Sequence, residues 1–203
     1  MNAARINGQR YLIPECWEEV TVSQYLRMLT QWEPEKDIAD RDYVKLLNIF
    51  TEGKFQHTDD IGNTMNLVRL LGWVAFQPFQ FKSDLPKVLH LAGKSVLIPR
   101  EPSELSIGQN IHLRRAIGQS SIVEQSIAIA TAIYLQPVVD GGKFNMSRAR
   151  ELEKEILEMP VYQIYPVGFF LLTRVASYGQ TSSGLWHRVK TNLGTILKRM
   201  SLN

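Results

Sequence analysis

Residues Leu97–Gln109 read "LIPREPSELSIGQ", and residues Leu12–Gln24 read "LIPECWEEVTVSQ". Laid together without a gap, they share Leu-Ile-Pro, then Glu19 with Glu104, Thr21 with Ser106, Val22 with Ile107 and Gln24 with Gln109. Gly8 and Gly93 keep the same frame, which is a step of 85 residues from Pro14 to Pro99. A hydroxyl residue followed three positions later by Gln is a capping box. The hydroxyl accepts from the backbone of the third helical residue, and the Gln side chain accepts from the cap. A strand closed by proline and followed by a capped helix, occurring twice at one offset, predicts a tandem duplication.

The pattern extends to both sides of these stretches. Asn7-Gly8 is a strong hairpin signal, and Tyr11, Leu12 and Ile13 suit its second strand. Thr21 caps a first helix in which Val22, Tyr25, Leu26 and Leu29 recur at helical spacing. Residues Glu33–Asp42 read as a charged loop containing Pro34. Tyr43–Thr51 reads as a second helix with Val44, Leu47 and Phe50 inward, and Asp59–Phe76 as a third, stopped by Pro78. The second half repeats this order. Gly93 turns, "KSVLI" is a strand, and Ser106 caps a helix carrying Ile111 and Leu113 at 85 residues from Leu26 and Met28. Ser126–Leu135 falls opposite Asp42–Phe50, and "VVDGGKF" is a turn matching "TEGKF". Ser147–Met159 is a charged helix and Val161–Tyr178 an apolar one.

The expected fold is therefore mainly α, with α+β character. Two tandem repeats occupy residues 1–83 and 84–178, each a short β-hairpin followed by about three helices. Residues 179–203 add a linker and a basic amphipathic helix. A 203-residue chain that is 44% hydrophobic and 21% charged can bury such a core without staples. Cys16 is the only cysteine, which excludes an internal disulfide and a thiolate metal cluster. The stretch "MNAARINGQR" has no apolar run, so no signal peptide is expected. The apolar runs at Ile127–Leu135 and Val167–Leu172 are too short to span a bilayer, so no transmembrane segment is expected.

Catalytic groupings are weak throughout. His57, His90, His112 and His187 never stand three or four residues apart, so no zinc-type pair exists. "HTDD" at 57–60 reads as the polar start of a helix. "GQTSSG" at 179–184 lacks the spacing of a nucleophile elbow and reads as a flexible linker. Glu151, Glu153, Glu155 and Glu158 alternate with Arg148, Arg150 and Lys154, as on a solvated helix face. Cys16 has no histidine beside it. Trp73, Phe76, Phe79 and Phe81, and later Tyr162, Tyr165, Phe169 and Phe170, cluster with too few basic neighbours to suggest base stacking. No enzyme, metal or cofactor is expected.

Two stretches carry a resemblance. "IPECWEEVTVSQYLRML" at 13–29 and "AIYLQPVVDGGKFNMSRARELEKEILEMPVYQIYPVGFFLL" at 132–172 resemble a group of tailed-bacteriophage proteins. In that group a Pro-Glu start with a Thr…Gln cap precedes helices, and a proline-bearing aromatic helix closes the domain. The resemblance covers most of residues 8–172. It implies a non-enzymatic morphogenesis protein, a virion tail or baseplate component or a tail assembly chaperone. Its partners would be other tail, baseplate or tape measure proteins. Its location would be the host cytoplasm during assembly, with a place in the virion left open. The resemblance supplies no catalytic residues.

The C-terminal segment lies outside that resemblance. After Glu158 the chain has no acidic residue, yet it carries Arg174, His187 and further bases. Leu185, Val189, Leu193, Ile196, Leu197 and Met200 form an apolar stripe at helical spacing, with Trp186, Arg188, Lys190, Lys198 and Arg199 beside or opposite it. These eleven residues are the expected partner-binding site, a detachable helix for a protein groove, with packing on the chain's own core or on a membrane surface as the other readings of the stripe. A nucleic-acid-binding module using the same bases is the alternative.

Overall fold

A computed structural model of the chain describes residues 2–6, 9–31, 40–55, 69–74, 79, 85–99, 105–120 and 123–178. It divides into two compact units, Met1–Phe79 and Gln80–Asn203. Both are mainly helical, and each contains one antiparallel two-stranded sheet.

In the first unit, β1 (Asn2–Ile6) pairs with β2 (Gln9–Ile13), with Ala4 opposite Tyr11 and Asn2 opposite Ile13. Tyr11 and Ile13 are buried while Leu12 faces solvent, as alternation along a half-buried strand requires. A short 3-10 turn at Trp17–Glu19 leads into α1 (Val22–Gln31). Then come α2 (Asp40–Phe50) and a helical stretch at residues 69–74, called α3. Asp40–Asp42 are helical, so the second helix starts earlier than the charged composition suggested. The buried side of α1 is Val22, Gln24, Tyr25 and Met28, whereas Leu26 and Leu29 are only half-buried. On α2 the buried residues are Leu46, Leu47, Ile49 and Phe50, and Val44 is half-buried.

Aromatic rings fill this unit. Trp17 meets Trp73 and Phe79 edge-on at 5.2 and 5.1 Å, and Phe79 lies 4.9 Å from Tyr25. Trp73 also donates its indole N–H to the Pro14 carbonyl at 3.0 Å, so its polar edge is satisfied while its face packs. Trp17 and Tyr25 are buried in this cluster, while Trp73 and Phe79 are half-buried at its edge. Phe76 and Phe81 lie outside the described residues, as do His57, Asp60 and most of the expected third helix.

In the second unit, β3 (Val88–Leu91) pairs with β4 (Lys94–Leu97) around the loop Ala92-Gly93. Both loop residues have positive φ, 51° and 71°. That is the two-residue turn whose twist matches a hairpin, and it favours Asn-Gly. Alanine is poorly suited to the left-handed region, where its Cβ crowds the backbone. Here the Ala92 N–H is held by the Glu155 carboxylate at 2.6 Å. Ala92→Asn should therefore raise stability by about 0.5–1 kcal/mol, read as a shift in the denaturation midpoint. An unchanged or lower midpoint would show that the hydrogen bond to Glu155, rather than the turn, sets this conformation.

Four helices follow: α4 (Ile107–Gln119), α5 (Ile127–Asp140), α6 (Met146–Leu157) and α7 (Val161–Tyr178). α5 is apolar around its whole circumference and packs against α4, α6 and α7, so Ile127–Gln136 are all buried. It runs through Pro137 to Asp140, longer than the turn reading of "VVDGGKF" allowed, and Gly141 ends it in the left-handed conformation. Asn145 then caps α6, accepting from the backbone of Ser147 and Arg148. On α6, Arg148 pairs with Glu151 and Arg150 with Glu153, as the alternating charges predicted. Asp140 is held below the usual carboxylate range, first by the Gln136 amide and then by Arg148.

Candidate interaction surface

Two glutamines define how the helices of each unit are mounted. Thr21 caps α1: its Oγ accepts from the Gln24 N–H at 3.2 Å, and Gln24 Oε1 accepts from the Thr21 N–H at 3.0 Å. Ser106 and Gln109 do the same for α4 at 3.2 and 3.0 Å. Both glutamines are buried, at 8% and 6% exposure, so their amide N–H groups need partners as well.

Each amide N–H finds a carbonyl on the next helix. Gln24 Nε2 donates to the Phe50 carbonyl at 3.4 Å, in the last turn of α2, where helix carbonyls lack donors. Gln109 Nε2 donates to the Ile133 carbonyl at 2.9 Å. Ile133 lies four residues before Pro137, whose nitrogen carries no hydrogen, so this carbonyl has lost its helical donor. The cap of one helix is thus tied to a gap in the next helix's ladder. A second parallel concerns the prolines: the Pro14 carbonyl accepts from Trp73, and the Pro99 carbonyl from the Tyr134 hydroxyl at 2.9 Å.

This mounting fixes which way α4 faces. Gln109, Leu113 and Ile117 point inward. Ile107, Ile111 and Arg115 run along the opposite side, with Ile107 81% and Ile111 52% exposed. The matching position on α1, Val22, is 1% exposed. The shared register had placed Ile111 alongside the inward-leaning Leu26, and the structure turns it outward. The sequence signal was present: "IGQNIHLRRAIGQ" carries two apolar stripes, 107/111 and 113/117, and only one can face the core. α4 has no acidic residue and carries His112, Arg114 and Arg115. A smaller apolar pair, Val88 and its cross-strand partner Leu97, is exposed on the outer face of β3–β4.

The Cys16 thiol is pushed up, first by burial and then by a hydrogen bond with Glu18, which reduces its thiolate fraction. Ser95 Oγ lies 3.1 Å from His90 Nδ1, but both are exposed cross-strand neighbours on the hairpin. Among the described residues, no three of His, Cys, Asp and Glu are placed to hold a metal ion, and no helix is long and apolar enough to cross a membrane. The expected partner-binding residues from Leu185 to Met200, and the linker "GQTSSG", lie outside the described residues. No family model, curated protein or solved structure matches the chain.

Proposed function

We propose that this chain is a non-enzymatic morphogenesis protein of a tailed bacteriophage, acting through protein–protein contacts as a tail or baseplate component or as a tail assembly chaperone. The observation that carries the contact reading is the exposed Ile107–Ile111 pair on a helix mounted rigidly by Ser106 and Gln109. The sequence resemblance at 13–29 and 132–172 points that contact toward tail assembly. We further read the chain as two tandem copies of one module. Support comes from the two capping boxes at a step of 85 residues, each with its glutamine bridged to the following helix.

The C-terminal stripe from Leu185 to Met200 supplies a second contact in this reading, a basic amphipathic helix docking on a tail, baseplate or tape measure subunit. Removing residues 184–203 should leave thermal unfolding cooperative while abolishing co-purification with that subunit from infected cells. A truncated chain that unfolds, or loses several kcal/mol, would place the segment in the core. The alternative, a nucleic-acid-binding module, rests on the run without acidic residues after Glu158. It predicts duplex-DNA binding that falls steeply with salt, whereas the protein-contact reading predicts weak binding at physiological salt.

A further inference from the structure

We propose that the outer face of α4 is a docking surface for an acidic, apolar-anchored segment of a different protein. The proposal deepens the protein-contact reading above and rests on it. Ile107, Ile111 and Arg115 stand one turn apart along one side of the helix, with Arg114 beside them. Burying two isoleucines that otherwise stand in water is favourable in proportion to the apolar area removed. The corresponding apolar positions of α1 are better covered: Val22 is 1% exposed and Leu26 is half-buried. α4 therefore presents to solvent two apolar side chains whose counterparts on α1 are buried or half-buried.

Charge selects the occupant. The whole of α4 carries two arginines and no acidic residue. A second copy docking symmetrically would set Arg114 and Arg115 against their own kind. The basic segment after residue 184 would meet the same repulsion. Nucleic acid would satisfy the arginines but leave Ile107 and Ile111 against phosphate. A segment with an apolar or aromatic anchor flanked by Asp and Glu satisfies both features, with arginine–carboxylate pairs at the rim setting orientation.

Fluorescence anisotropy with the full-length chain tests this. The probes are two labelled designed helices of about 16 residues, one a leucine stripe on glutamate faces and the other the same stripe with lysines. The glutamate peptide should bind, the lysine peptide should not, and added salt should weaken the complex. Ile107→Ser with Ile111→Ser should weaken binding roughly tenfold or more, with an unchanged melting temperature because both side chains are exposed. Arg114→Glu with Arg115→Glu should reverse the preference toward the lysine peptide. The proposal is overturned if neither peptide binds, if both bind equally, or if the isoleucine variant binds as wild type does. It is also overturned if duplex DNA displaces the glutamate peptide, or if light scattering shows a dimer that the isoleucine variant dissolves. A phage subunit captured through residues 184–203 would survive a negative result here. Equally, peptide binding would survive a failure to co-purify any phage protein, so the two readings fail separately.

Discussion

Replacing Gln109 by Glu should cost about 3 kcal/mol at neutral pH. Glutamate is the commoner partner in capping boxes and would still accept from the Ser106 N–H. Its second oxygen, however, would face the Ile133 carbonyl where an amide N–H now donates. Two acceptors would then meet in a buried site, one of them charged. Protonation restores a donor there, so the carboxyl of Gln109→Glu should have a raised pKa in the folded state. Such a group stabilises the fold below its unfolded pKa, and that contribution is lost as pH rises through the folded pKa. The deficit against wild type should therefore narrow as pH falls from neutral into the carboxylate range. Gln109→Met, which abolishes both bonds at similar volume, should cost about 1–3 kcal/mol at every pH. Urea denaturation of the three proteins across pH separates these cases, and a pH-independent deficit for Gln109→Glu would refute the bridge. Gln24→Glu should behave alike but more weakly, since its bond to Phe50 is longer at 3.4 Å.

The second large effect is expected at Gly168, where α7 crosses α5. A Cβ built there would stand 2.5 Å from Ile127 Cγ2 and 3.1 Å from Ile127 Cβ and Cγ1. Ile127 is 2% exposed and β-branched, so its side chain has few other rotamers to adopt. Gly168→Ala should cost about 1–3 kcal/mol by forcing the helices apart, despite the better helix propensity of alanine. Ile127→Ala removes the obstructing atoms but opens a cavity, at about 2–5 kcal/mol. The double variant should lose clearly less than the sum of the two single losses, because the new methyl enters the vacated space. Additive losses in a thermodynamic cycle would mean that the helices do not meet closely at this point.

Much of this architecture was legible in the sequence, because its local chemistry agrees with its tertiary setting. Thr21–Gln24 and Ser106–Gln109 announce helix starts by residue type and spacing alone, and both form. The alternating charges of α6 forecast its ion pairs. What was hidden depends on distant contacts. Helix α5 passes through Pro137, a residue that ordinarily ends a helix, and the stranded carbonyl of Ile133 accepts from Gln109 of α4. Glu155 reads as one of several solvated carboxylates, yet it reaches the Ala92 N–H 63 positions away in sequence. Ile107 and Ile111 were legible as apolar but not as outward-facing. Periodicity marks two stripes on α4, and only the inward aim of Gln109, Leu113 and Ile117 decides between them.

We propose that the chain serves tail assembly through contacts with other proteins. Deleting its reading frame from the genome that encodes it, and viewing the particles produced by electron microscopy, tests this most directly. The claim predicts filled or fillable heads with absent or incomplete tails, restored when the full-length chain is supplied in the host. Complete, infectious tailed particles at normal yield, or a block in genome replication before any heads form, would contradict it.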